Sequence, residues 1–159
     1  MNKKLLSLFL GVSFFAHAAC AEGDIKGTWN VTKMEPAPWL ASKPDSSPYY
    51  AEELEDGIVV FGEDKLTAPI SWMGCKKPKY EKASVPFNGL FEGGLEDKER
   101  GLTDAAGLAH KLGFTKEPVT SVTPSCSELT YHFADDNTLL FALDNVIYTL
   151  SRAKDQPRK

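Results

Sequence analysis

Catalytic residue types are scarce in this chain. Of its 159 residues, three are histidine and three are cysteine. There is no Gly-x-Ser-x-Gly elbow, no phosphate-binding loop and no His-Glu-x-x-His, so serine-hydrolase, nucleotide and zinc-protease chemistries have no motif to rest on. Gly89-Leu90-Phe91-Glu92-Gly93-Gly94 lacks dinucleotide spacing, and Asp135-Asp136-Asn137 lacks the ligand pattern of a calcium loop and reads as a turn. No cofactor is expected. Basic residues number 18 against 22 acidic ones, with no basic patch, which argues against nucleic acid as a partner. Long apolar runs are also missing. The one candidate, Leu5 to Phe15, falls short of the roughly 20 residues a bilayer span needs.

That run is informative for what surrounds it. Lys3 and Lys4 precede it, and the small-residue patterns Ala16-His17-Ala18 and Ala19-Cys20-Ala21 follow it. This is the layout of a secretory signal peptide over residues 1–21. The expected address is therefore periplasmic or secreted. Removing Lys3 and Lys4 with the leader takes the formal charge from −4 to −6, which favours solubility before it says anything of function.

An odd cysteine count in an exported chain calls for an explanation. Cleavage after Ala21 removes Cys20 and leaves Cys75 and Cys126 as a pair. Cleavage after Ala18 leaves a free thiol instead. Ala18-Ala19-Cys20 also resembles the end of a lipobox, so lipidation at Cys20, with membrane anchoring, is a third possibility. The first is favoured, and a Cys75–Cys126 disulfide follows from the compartment. It closes a long loop and is expected to stabilise the fold by about 4 kcal/mol. Without CxxC spacing, and with only His110 and His132 in the mature chain, a metal site is not expected.

The remaining chain reads as one β-rich domain over residues 22–152 with a polar tail at 153–159. Gly27 to Met34 is a first strand, with Trp29 and Val31 on one face. Residues 35–56 carry Pro36, Pro38, Pro44 and Pro48, which exclude regular structure, yet they hold Trp39, Tyr49 and Tyr50. Such a loop is either a cover over the core or a binding site. Glu52, Glu53, Glu55 and Asp56 close it as an acidic run, either a solvated loop end or a docking patch for a basic partner.

Ile58 to Phe61 is a short apolar strand, with Leu66 to Trp72 as its hairpin partner. Tyr80 to Val85 and Asn88 to Leu95 are weaker strand candidates. Ala105, Leu108, Ala109 and Leu112 form one apolar helical face, so a short helix is expected over about 103–112, with Thr103 as N-cap and Gly113 as its stop. The last third is an antiparallel meander: Leu129 to Phe133, Thr138 to Leu143 and a final strand from Val146 to about Arg152, with Asp144-Asn145 as a hairpin turn. Its alternation predicts one buried and one wet face, with His132 at the surface on the wet one.

About eight strands, one short helix and Gly27-Thr28-Trp29 near the mature start together resemble the calycin or lipocalin-like barrels. The resemblance is architectural and covers residues 24 to 152. It implies a meander closing into a small barrel or sandwich, with Trp29 closing the bottom and Arg152 of the last strand packed across it. A cation–π contact of that kind contributes on the order of 1 kcal/mol.

Architecture does not fix function. The leading expectation is a non-catalytic envelope binding protein of the inhibitor or immunity type, using Trp39, Tyr49, Tyr50, Glu53, Glu55 and Trp72 toward a protein partner. A carrier of a small apolar ligand, with Trp39, Tyr49, Tyr50 and Trp72 around its mouth, is the alternative and requires a cavity. A hydrolase working through paired carboxylates ranks third.

Overall fold

The computed structural model describes residues 23–40 and 49–154. The expected leader with Cys20, the middle of the proline-rich stretch and the end of the polar tail lie outside the described residues. Nine strands form one antiparallel sheet: β1 (Gly27–Pro36), β2 (Ile58–Phe61), β3 (Lys65–Thr67), β4 (Cys75–Lys76), β5 (Tyr80–Val85), β6 (Val119–Pro124), β7 (Tyr131–Asp135), β8 (Thr138–Leu143) and β9 (Val146–Arg152). Their order is β4-β3-β2-β1-β9-β8-β7-β6-β5. The last strand therefore sits at the centre beside the first, which pairs with β2 on one side and with β9 on the other.

The sheet curls into a half-barrel. Extra residues break the register between Val31 and Lys33 in β1 and between Phe133 and Asp135 in β7. Such bulges sharpen twist and bend. Eight antiparallel steps leave the two end strands, β4 and β5, pointing the same way, and they are consecutive in the chain. Between them Lys77, at φ +51°, still donates its N–H to Asp64 of the β2–β3 turn (2.8 Å). Two residues later, the Lys79 carbonyl accepts from Ser125 N at 2.8 Å. The chain thus passes from one end of the sheet to the other within a few residues. The Cys75–Cys126 disulfide (Cα–Cα 6.2 Å) and a bond from Tyr80 OH to the Gly62 carbonyl (2.7 Å) tie the same two ends.

The concave side is filled with side chains. Trp29, Val31, Phe61, Tyr131, Phe141, Tyr148 and Leu150 belong to one buried cluster, closed by Leu54, Leu66 and Met73. Phe61 and Tyr131 meet edge to face at 4.9 Å, and Phe141 stacks on Tyr148 at 5.0 Å. At the end holding Trp29, the Arg152 guanidinium carbon lies 4.2 Å from the indole centroid. The arginine also donates to the carbonyls of Lys26 (2.9 Å), Asp24 (2.6 Å) and Asp136 (3.1 Å), so it ties the segment before β1 and the β7–β8 turn to β9 across the indole.

The convex side is not wet over β7–β9, contrary to the alternation argument. Residues between β5 and β6 fold back over it. Phe87–Gly93 forms 3₁₀ turns rather than the expected strand over Asn88–Leu95, with Phe91 and Glu92 in left-handed conformations that no strand tolerates. Leu90, Phe91, Leu95, Ala109 and Phe114 pack on Ala134, Leu140 and Ile147 as a second core.

The helix α2 runs Ala105–Lys111. Its cap is Asp104, not Thr103: the Asp104 carboxylate accepts from Gly107 N at 2.8 Å. A Cβ at Gly107 would displace that carboxylate from its present position. The partner of β2 is only Lys65–Thr67; Ser71–Met73 is a 3₁₀ turn, and a second short helix, α1 (Ala51–Leu54), lies before β2. Among the described residues no helix is long and apolar enough to cross a membrane.

Candidate functional site

Folding the 86–118 excursion onto the sheet leaves a cleft of about 640 Å³ beside it. Its floor is the outer face of β6 and β7, where Ser121, Thr123, Thr130 and His132 point outward. Phe91 and Trp39 stand above the floor, and the β8–β9 turn closes one end. Trp39 is held firmly. Its indole N–H donates to Asn145 Oδ1 (3.1 Å), and its ring lies 6.0 Å from Phe91 and against Gly94, where a Cβ would strike the indole.

His132 is 3% exposed, not a surface histidine. Phe91 N–H donates to its Nε2 at 3.2 Å, and its Nδ1 lies 2.6 Å from Ser121 Oγ. An occupied acceptor at Nε2 assigns the single proton of the neutral ring to Nδ1, which then donates to the serine. Burial pushes the imidazole down to about 4, so it is neutral at physiological pH. The pair superficially resembles a nucleophile with its base. Here the histidine gives a proton to the serine oxygen instead of accepting one, and both side chains are covered. The arrangement satisfies buried polar groups and anchors the left-handed turn at Phe91.

A second feature lies across the β8–β9 turn. Tyr49 and Tyr50 meet edge to face at 4.7 Å, and Tyr50 meets Trp72 at 5.7 Å. Tyr49 is 78% and Trp72 43% exposed. Next along the chain, Glu52, Glu53, Glu55 and Asp56 are all exposed. The result is an aromatic patch with an acidic border.

The expected site residues therefore divide. Tyr49, Tyr50 and Trp72 come together, with Glu53 and Glu55 beside them in sequence on and after α1. Trp39 goes to the outer cleft. Trp29 and Arg152 are in contact at the far end of the half-barrel, and Cys75 and Cys126 are bonded. Ser121 and His132 were not singled out as a pair. The available signal was the apolar content of Phe87, Leu90, Phe91, Leu108 and Leu112, which requires a surface to cover.

The concave side also holds two buried phenols, Tyr131 and Tyr148, whose hydroxyls have no hydrogen-bond partner among the described residues. Burial pushes both upward, with nearby Asp144 and Glu53 adding to the effect on Tyr148, which is pushed up to about 12. Among the described residues no group of three or more histidine, cysteine or carboxylate side chains is placed to hold a metal. Comparison of the chain with protein-family models, curated proteins and solved structures gives no match.

Proposed function

We propose that this chain is an exported, non-catalytic binding protein that engages a basic surface of another envelope protein, in the manner of periplasmic inhibitors and immunity proteins. The observation that carries this reading is the Tyr49–Tyr50–Trp72 cluster. Clustered exposed aromatics with a polar rim are what protein interfaces use as anchors. The Tyr49 N–H is held by Asp144 Oδ2 at 2.6 Å, so part of the ordering cost of binding is met in the free chain. The carboxylates that follow supply attraction to a basic partner and speed encounter.

Two further observations support the same reading. The histidine–serine pair is arranged for support rather than nucleophilic attack. The concave side is occupied by Trp29, Phe61, Tyr131 and Phe141, which weighs against the apolar-ligand carrier. The Arg152–Trp29 contact supports the finer reading of the half-barrel as lipocalin-like.

Native mass spectrometry of the protein taken from its own envelope fraction tests the proposal. The expected result is a stoichiometric second polypeptide with the wild-type chain, lost in Tyr49→Ala/Trp72→Ala. A bare chain, or one carrying only a small apolar molecule, contradicts it.

A further inference from the structure

The outer cleft is strongly one-sided in charge. Glu92, Glu96, Asp97, Glu128 and Asp144 line it, against Arg100 as the one lysine or arginine among the described residues of its lining. His132 at the floor adds no positive charge, being buried and neutral.

Arg100 shows what the wall can hold. Its Nε lies 3.2 Å from Asp97 Oδ2, and its Nη1 donates to the Trp39 carbonyl at 3.3 Å. One guanidinium is thus already seated between a carboxylate and a main-chain oxygen on this wall. Glu92, Glu96 and Glu128 form no ion pair among the described residues. Carboxylates facing an open cleft beside a fixed indole match the needs of a second cationic side chain. Its head takes charge-assisted bonds, and its stem lies on the ring. The volume, about 640 Å³, falls within the range of clefts that hold a small ligand, which exceeds the size of one such side chain.

We infer that the outer cleft receives an arginine or lysine side chain presented by a protein partner. This rests on the partner reading above. The β8–β9 turn separates the cleft from the aromatic patch by a single residue step, Asn145 facing Trp39 and Asp144 holding Tyr49. One partner surface can therefore span both, with its aromatic-binding region on one side of the turn and its cation on the other.

The test is a heteronuclear NMR titration of the whole mature chain with acetyl-Gly-Arg-Gly-amide, and with the same peptide carrying citrulline. The expected result is saturable shifts of the Trp39 indole, Gly94 and Thr130 signals with the arginine peptide and none with citrulline. Glu96→Gln/Glu128→Gln should weaken the arginine peptide about five-fold, the loss of two exposed charge pairs. Glu63→Gln, in the β2–β3 turn and outside both the cleft and the aromatic patch, should leave it unchanged.

An equal response to citrulline, shifts confined to other surfaces, or unchanged affinity in Glu96→Gln/Glu128→Gln overturns the inference. Saturation by ethylguanidinium as tight as by the peptide also overturns it, since the ligand is then a free cation. The tripeptide is too short to need the aromatic patch. Failure of the cleft is therefore read separately from failure of the partner complex.

Discussion

Asp144 and Asn145, adjacent in the β8–β9 turn, hold Tyr49 and Trp39, ten positions apart in the chain. Asn145 accepts from the Trp39 indole through Oδ1 (3.1 Å) and from Ala37 N through its own carbonyl (2.9 Å). Asp144 accepts from Tyr49 N at 2.6 Å. Both turn residues have positive φ, +53° and +60°, the pairing that a two-residue hairpin demands and that aspartate and asparagine tolerate. One tight turn thus sets the positions of the cleft's indole and of the exposed aromatic patch.

Asp144→Gly should keep the turn and lose the tether. Glycine accepts positive φ without strain, while a hydrogen bond to a charged acceptor is worth about 1.5 kcal/mol or more. Amide exchange at Tyr49 should accelerate by roughly tenfold or more with global stability little changed. Unchanged exchange would show that the tether does not order the patch.

Arg152→Ala should destabilise the chain by about 3 kcal/mol: the cation–π contact contributes on the order of 1 kcal/mol, and each of the three hydrogen bonds, shared with solvent, contributes roughly 0.5–1 kcal/mol. Arg152→Lys should recover less than half of that, because an ammonium cannot reproduce the planar fork that reaches Lys26, Asp24 and Asp136 together. Urea unfolding monitored by tryptophan fluorescence measures both.

His132 makes folding depend on pH with a definite sign. Its folded value, about 4, lies below the ordinary 6.5. Between the two, the unfolded chain binds more protons than the folded one, so stability rises with pH there. The contribution is fully present above about 6.5 and is lost as pH falls toward 4, about 3 kcal/mol in all. Unfolding free energies at pH 7 and pH 4 should therefore differ more in the wild type than in His132→Gln. Equal differences would mean that the imidazole titrates normally.

Tyr131→Phe and Tyr148→Phe should each be neutral or stabilising by up to about 1 kcal/mol, because each removes a buried hydroxyl without a partner. A loss of more than about 1 kcal/mol in either would point to a hydrogen bond worth keeping.

Much of the fold was legible because it is local. Trp29 and Val31 share a face, Leu139, Phe141 and Leu143 alternate, and Asp144-Asn145 marks its own turn. The disulfide followed from cysteine count and compartment. Strand β6 was missed: Val119 to Pro124 is bounded by two prolines, and its β-branched content has no strict alternation, since both Ser121 and Val122 are buried. Strand β4, two residues long, carries no periodicity to read. The burial of His132 was also illegible. It depends on a distant segment folding onto the outer face, and alternation in β7 reports only which side a residue takes. Trp39 and Tyr49 looked equivalent in one proline-rich loop. Their separation is decided by which residue of a remote turn each one meets.

Site-specific photo-crosslinking reads contact with a partner where the protein works. A benzophenone side chain is placed in turn at positions 49, 72 and 111, and the living cell of origin is irradiated. Lys111 is exposed in the last turn of α2 and is not among the residues that meet Tyr49, Tyr50 or Trp72. A partner held by the aromatic patch gives a discrete adduct with one polypeptide from positions 49 and 72 and none from 111. No adduct at 49 and 72, or the same adducts from all three positions, would contradict a partner held by the aromatic patch.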